Sequence, residues 1–512
     1  MSLVIVICIL LIVWLLWWTC RNGGKSPPGP FGLPIVGYMP WLGSKMNLTL
    51  TKLWEQYGDV YSIRVGSRKL IVVNGQRAIR GALATDDHFA GRPDFFTFRL
   101  VSGFDDFSPA YKNNAEKRFL RFQFSLERRK KLILKAMAMF THRRRAELEG
   151  VAAKAVGYLM AELKQAAGKP VDPKKPLYRA VCTIMGYVCY GQHFDKDSAE
   201  VGRILETADE FARTARFGVL CDYIPWASWL VRKQVAKFVD LLRRIRAYSD
   251  LLTEQHVRTY DQENLRDVTD FFYKISTTQE EEEHDDDDNH SKGEYDRDML
   301  KGLSGSLFGA GFGTIALTLQ WAIMLMAKYP QWQDRVRQEL DDQIGDPHHH
   351  HHQLVWSDRG KLPLTMATLC EVYRYSSISP LAILHKATRD CQLCGYEIAE
   401  GTPVLFNLYS AHRDRTVFDR VDEFDPGRFL HEDGSLDHTK ADLIMPYSLG
   451  RRRCGGELVA RFEIFIFFAS LIKRCIIQED ALNKLDLNNY ICTLALHPKP
   501  FKVIFLSRTG EW

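Results

Sequence analysis

No compact basic recognition motif for nucleic acid occurs in this sequence. A formal net charge of +5 over 512 residues adds no general attraction to polyanions, so nucleic acid is excluded as a partner. The cysteines number eleven, an odd count scattered through a long chain, which excludes a disulfide scaffold and predicts thiols that are mostly reduced and buried. One C-x-x-C pair, Cys391 and Cys394, has neither a second pair nor a histidine at zinc-finger spacing, and CQLCGYEIAEG around it reads as strand and turn. Those two are expected to be structural thiols.

What the chain does have is an apolar, mostly helical pattern. Hydrophobic residues make up 46% and charged residues 26%, a globular balance with enough apolar surface for a packed core. Residues 1–20 hold an unbroken apolar run, Leu3 to Cys20, just long enough at about 1.5 Å per residue to cross a hydrocarbon layer of roughly 30 Å. No Lys or Arg precedes the run and no small-residue cleavage site follows it, so an uncleaved anchor is expected. Arg21 and Lys25 place the rest of the chain in the cytosol by the positive-inside rule, with Trp14, Trp17 and Trp18 at that interface. Residues 21–40 are rich in proline, which precludes helix and predicts a semi-rigid hinge. Residues 41–512 form the body. In it Tyr61 to Asn74 reads as a hairpin about Gly66-Ser67, and Glu127 to Lys274 as long helices. Glu280 to Asp288 (EEEEHDDDD) and His348 to His352 are expected to be solvated loop insertions without a catalytic role.

Chemistry concentrates further on. Tyr447-Ser448-Leu449-Gly450-Arg451-Arg452-Arg453-Cys454-Gly455-Gly456-Glu457 precedes an apolar helix, Leu458 to Ile472. A cysteine at a helix start beside three arginines is set up to favour thiolate over thiol, and so to bind a metal. Gly450 and Gly456 allow the tight turns that a flat ligand lying on the loop needs, and Arg452 offers a partner for a carboxylate. Alone, the loop could equally be a basic surface turn with an incidental cysteine, so other segments have to decide.

The loop resembles the haem-binding signature of the cytochrome P-450 superfamily, aromatic-x-x-Gly-x-Arg-x-Cys-x-Gly, with every fixed position matched and Tyr447 in place of the usual Phe. Partner motifs follow in the family's order. Ala310, Gly311 and Thr314 lie in a long helix, Leu307 to Leu340, that begins LFGAGFGTIALTLQ. Glu371 and Arg374 share one helix face at i, i+3 spacing, and Arg428 follows in Phe424-Asp425-Pro426-Gly427-Arg428-Phe429. A lone Glu-x-x-Arg usually marks an exposed pair of little worth; the order of the motifs is what carries the likeness. It runs from Pro27 to about Ser507, takes in Phe89-Ala90-Gly91-Arg92-Pro93 and Asp222-Tyr223-Ile224-Pro225-Trp226, and looks closest to animal microsomal members, the clan of steroid- and drug-metabolising forms.

The resemblance implies a mainly α fold with a small β-rich part: one haem-thiolate catalytic domain behind an N-terminal membrane anchor. It implies haem b, with Cys454 as the axial ligand of the iron, Arg452 and His385 on propionates, and Lys130 as a further haem contact. Lys130 is aligned, with Leu126, on the family's Trp-x-x-x-Arg, and Tyr111 to Phe124 before it looks like an insertion. Small residues at Ala310 and Gly311 would leave room for dioxygen, and Thr314 would be the catalytic hydroxyl. Gly313 stands where most members carry an acid, so the acid–alcohol pair is incomplete. The implied reaction inserts one oxygen atom of O2 into an apolar small molecule, a steroid, fatty acid or xenobiotic. No flavin or nicotinamide segment is evident, so electrons would come from an NADPH-dependent flavoprotein reductase docking near Arg128 to Lys131 and Arg451 to Arg453. The implied location is the endoplasmic reticulum membrane. Phe95, Phe96, Phe98, Phe104, Phe308 and Phe312 are candidates either for the substrate pocket or for core packing. Two rival functions stay open: an isomerase or dehydratase of peroxides that needs neither O2 nor reductase, suggested by Gly313, and a haem protein that binds a lipid or gas without turnover.

Overall fold

The computed structural model describes residues 26–84, 87–101, 130–166, 168–191, 199–214, 220–282, 297–345 and 353–508. The expected anchor, Leu126, the Tyr111 to Phe124 segment, the histidine tract and most of the acidic tract lie outside them. The architecture is mainly α with a small β part. The sheet opens with β1 (Val60–Val65) and β2 (Arg68–Val73), the expected hairpin, turning on Gly66 at φ +59 with Ile63 opposite Leu70. Pro27 and Pro28 of the expected hinge are docked against it, since Ser62 donates to the carbonyls of both.

The long helices are α1 (Arg145–Gln165), α2 (Lys174–Tyr190), α3 (Arg232–Val257), α4 (Val268–Glu282), α5 (Arg297–Lys328), α6 (Pro330–Ile344), α7 (Pro363–Ser376) and α8 (Glu457–Arg474). α5 carries apolar residues all round, as a core helix does; it is buried throughout from 315 to 327, and α2, α3, α4, α7 and α8 pack on it. From Gly302 to Lys328 it is long and apolar enough to cross a membrane, but it lies mostly inside the protein, as a core helix does. The single helix expected from Leu307 to Leu340 is two: α5 starts at Arg297 and stops at Lys328, and Pro330 opens α6. Proline has no N–H to donate and clashes with the preceding turn, so it starts a helix but does not continue one.

The sheet is completed by β3 (His385–Lys386) and β6 (Pro403–Phe406), in the order β1-β2-β6-β3. Between them, where strand and turn were expected, β4 (Cys391–Leu393) and β5 (Tyr396–Ile398) form a hairpin, turning on Cys394 and Gly395, both at positive φ. Cys394 is exposed and Cys391 half-buried, whereas Cys182, Cys189, Cys221, Cys370 and Cys475 are buried free thiols.

Glu371 and Arg374 on α7 are fully buried and form a bidentate pair at 2.6 and 2.7 Å. Arg374 also donates to the carbonyls of His412, Val421 and Glu423 at 2.8–3.0 Å, and Arg428 Nε reaches Glu371 Oε1 at 3.2 Å. The Glu-x-x-Arg pair is thus an internal clamp between α7 and the segment from His412 to Arg428. Removing one partner of such a buried pair strands the other charge, at a cost of about 3–5 kcal/mol.

A second buried charge cluster joins the end of α3 to the start of α4. His256 Nε2 lies 2.7 Å from Asp267 and 2.9 Å from Asp270, and Arg266 pairs with Asp270 at 2.8 Å. Burial works against the imidazolium, but hydrogen bonds to the two carboxylates outweigh it and raise the His256 pKa to about 9. The group is a buried ion cluster in which burial raises the Asp267 pKa and the contacts to His256 and Arg266 lower that of Asp270. Because the folded pKa lies above the ordinary value of 6.5, the stabilisation is complete below about pH 6.5 and is lost as pH rises through about 9. We expect His256→Asn to lower the unfolding free energy by about 3 kcal/mol at pH 6 and by much less at pH 10, measured by urea denaturation.

Candidate active site

The loop before α8 is shaped by close approaches. Gly450 has φ +67, and a Cβ there would lie 1.9 Å from the Leu83 carbonyl oxygen, so only glycine fits. A Cβ on Gly455 would press Ile133 at 2.8 Å. The Cys454 amide donates to the Tyr447 carbonyl at 2.9 Å, and the Tyr447 hydroxyl meets that of Tyr373 on α7 at 3.3 Å. The backbone therefore holds the loop while Cys454 keeps exposed surface, and Ala310 and Thr314 in the N-terminal half of α5 are exposed as well, whereas 315–327 is buried throughout.

The three arginines do not do what their spacing suggests. Arg451 pairs with Asp87, Arg452 Nε donates to the Ala90 carbonyl at 2.6 Å, and Arg453 forms a bidentate pair with Glu457 at 2.5 and 2.7 Å. Burial pushes the Cys454 thiol pKa up, with Glu457 adding to it; the Gly456 N–H, Arg453 and Lys130 pull it back only in part. The expectation that the loop alone favours thiolate is corrected, because its cations are engaged with other groups. Deprotonation is left to a bound metal, which displaces the proton from its ligand.

Lys130, expected as a haem contact, lies beside the loop, with Nζ donating to the carbonyls of Gly450 at 3.0 Å and Arg451 at 2.8 Å. In this arrangement it braces the loop. Thr314 Oγ1 donates to the Ala310 carbonyl at 2.8 Å, so its hydrogen is committed to its own helix and its lone pairs remain to accept. Gly311, expected to make room for dioxygen, makes room for α2 instead: a Cβ there would lie 2.4 Å from Met185 Cε and 2.8 Å from Sδ. Gly313 is open, with nothing within 4 Å of a Cβ. Phe308 and Phe312 pack on Tyr190 and Tyr178 of α2, with ring centroids 5.8 and 6.0 Å apart, so they are core residues. Phe95 is likewise buried against Tyr223, at 5.3 Å, while Phe104 lies outside the described residues.

His385 is buried, with Nδ1 2.7 Å from the Phe89 carbonyl oxygen and the ring edge-on to Phe406. Beside it stands an arginine that the sequence reading did not assign to the site. Arg92 donates from Nη1 to the carbonyls of Ile383 at 2.7 Å and Leu384 at 2.9 Å, on the segment entering β3. Gly91 bridges to Lys386, and a Cβ on Gly91 would come within 2.8 Å of the Lys386 carbonyl oxygen, so this junction too needs glycine. Burial, then the Arg452 charge, lowers the Arg92 pKa to about 9; burial, then Arg92, holds His385 well below its ordinary value. Arg452 thus disfavours the Arg92 cation, and both arginines disfavour that of His385, as expected of a seat for an anion. The signal was present in Gly91-Arg92-Pro93: Asp94, the nearest acid in sequence, is taken by Arg99 at 2.6 Å.

The family model for cytochrome P-450 matches residues 27–505. The chain belongs to the cytochrome P-450 family. It is 31% identical to cytochrome P-450 1A1 of Rattus norvegicus over 476 residues, 91% of this chain and 87% of the relative. It is 32% identical to cytochrome P-450 1A1 of Sparus aurata over 457 residues (87% and 84%), and 30% identical to cytochrome P-450 1A5 of Gallus gallus over 463 (88% and 84%). This P-450 is accordingly a haem b monooxygenase, an oxidoreductase with a small-molecule substrate and electrons delivered by a reductase. Its residues fit that cofactor: an exposed sulfur on one side, an exposed Ala310–Thr314 face on the buried helix, and the Arg92, His385 and Arg452 cluster with charge suited to two propionates.

A charged hydrogen bond contributes about 1.5–3 kcal/mol. Arg92→Ala and Arg452→Ala should therefore each speed haem loss to an apoprotein scavenger by about 10- to 100-fold. Unchanged loss rates would remove the cluster from the cofactor site.

Proposed function

We propose that this P-450 works at the cytosolic face of the endoplasmic reticulum, anchored by residues 1–20, and oxidises an apolar substrate with electrons from an NADPH-dependent flavoprotein reductase. The observation that carries the reading is the pairing of an exposed Cys454 with exposed Ala310 and Thr314, which stand just before the stretch of α5, 315–327, that is buried throughout. Bound haem b supplies the chemistry of dioxygen reduction and oxygen-atom transfer. Cys454 Sγ is the thiolate ligand, steadied by the Gly456 N–H. Arg92, Arg452 and His385 hold the propionates, and Lys130 keeps the loop carbonyls of Gly450 and Arg451 in place.

Thr314 has its hydrogen on the Ala310 carbonyl, so it accepts from ordered water, and the open space at Gly313 admits that water where a carboxylate would otherwise stand. The relay is longer than an acid–alcohol pair provides. Lys131, Arg451 and Arg453 are exposed around the loop, a basic face that favours encounter with an acidic reductase.

Membrane attachment is supported by a second surface. Trp226 and Trp229 are 67% and 68% exposed, Leu230 is 59% exposed, and exposed Arg232 and Lys233 follow. That is the aromatic and basic composition of a segment lying in a membrane interface. Ser67 donates to the Tyr223 carbonyl from both N and Oγ, which brings this segment to the hairpin that also carries the exposed N-terminal residues Ile35 and Trp41.

The test is coupling. With reconstituted reductase and a substrate found by spectral binding, turnover should consume NADPH and O2, and Thr314→Ala should lower the ratio of product to NADPH by about tenfold or more while hydrogen peroxide rises. An undiminished ratio would remove Thr314 from the relay, and turnover without NADPH would point to the isomerase reading.

A further inference from the structure

His412 is almost wholly buried between the Glu371–Arg374–Arg428 clamp and the cysteine loop, and every polar group it has is engaged. Its carbonyl accepts from Arg374 Nη1 at 3.0 Å. Its Nε2 accepts the Met445 backbone N–H at 3.0 Å, which makes Nε2 the bare nitrogen of the ring. Nδ1 then carries the hydrogen and donates to Ser377 Oγ at 2.9 Å; that hydroxyl passes its own hydrogen to the Arg374 carbonyl at 2.8 Å. Burial, with Arg413 and Arg374 nearby, holds the imidazole neutral, as this pattern demands.

Met445 is where the loop begins. It is buried, it precedes Pro446, and its carbonyl accepts from Ser448 N at 3.1 Å; the next carbonyl but one, of Tyr447, takes the Cys454 amide at 2.9 Å. Ser448 sits at φ +59, a conformation that a non-glycine residue keeps only when its surroundings hold it. The hydrogen bond to His412 thus links a rigid clamp to a strained loop at its start, ahead of the Tyr447–Tyr373 contact.

We propose that His412 is a positioning residue for the thiolate: by accepting the Met445 amide hydrogen bond it fixes the Met445–Cys454 segment relative to α7, and so sets where the sulfur stands under the iron. The inference rests on Cys454 being the haem ligand.

The experiment compares His412→Phe, which fills the space but neither accepts nor donates, with His412→Gln, whose amide can do both. The readout is the carbon monoxide spectrum of the ferrous protein, in which thiolate ligation gives a red-shifted Soret band and its loss does not, with helical circular dichroism recorded on the same samples. At equal helix content, Phe should shift the ratio of thiolate-lacking to thiolate-ligated haem by about tenfold or more, and Gln should restore the wild-type ratio. Equal ratios in Phe and wild type, or a folded Gln variant as poor as Phe, would overturn the proposal. Amide hydrogen exchange of wild type decides it where Phe does not fold: the Met445 amide should exchange as slowly as the α7 core, and fast exchange would overturn the proposal. Absence of the red-shifted band in wild type would instead overturn the haem-thiolate reading, and the proposal with it.

Discussion

Two buried arginines sharing one buried carboxylate are the constraint on which the site depends. Glu371 is surrounded by Arg374, Arg428 and the Asp425 amide, the last at 2.9 Å. Charges so deep are tolerable only with their hydrogen bonds complete, and Arg374 completes them on the carbonyls of His412, Val421 and Glu423. An irregular segment of chain is thereby made as fixed as a helix. The cysteine loop leans on it through His412 to Met445, and on α7 through Tyr447 to Tyr373.

That rigidity matters for chemistry because the loop does not prepare the sulfur electrostatically. Arg451, Arg452 and Arg453 are engaged with Asp87, the Ala90 carbonyl and Glu457, and burial raises the Cys454 thiol pKa. What the protein contributes is position. On the other side of the cofactor site, α5 contributes an exposed Thr314 whose hydrogen is already committed, and a gap at Gly313. The proposed proton relay depends on water admitted by that gap, at a position where the resemblance implies an acid.

The backbone skeleton was legible because glycine, proline and apolar periodicity are local signals. The Tyr61–Asn74 hairpin, the strand and turn at the C-x-x-C pair and the helix after Cys454 could all be read from such signals. Pro330 carried the signal that splits the distal helix, yet the apolar pattern on both sides masked it. Side-chain destinations were not legible. Arg92, His385 and Arg452 come from three separate segments and meet only once β3 bridges to Gly91, and Gly311 faces Met185 because of how α2 packs on α5. Such choices are made by tertiary partners, which motif spacing does not encode.

The account stands on Cys454 as the iron ligand, and one measurement reaches it directly. Reduced Cys454→Ser protein in carbon monoxide, with helical circular dichroism matched to wild type, should lack the red-shifted Soret band of thiolate-ligated haem. A folded serine variant that kept that band would contradict the account.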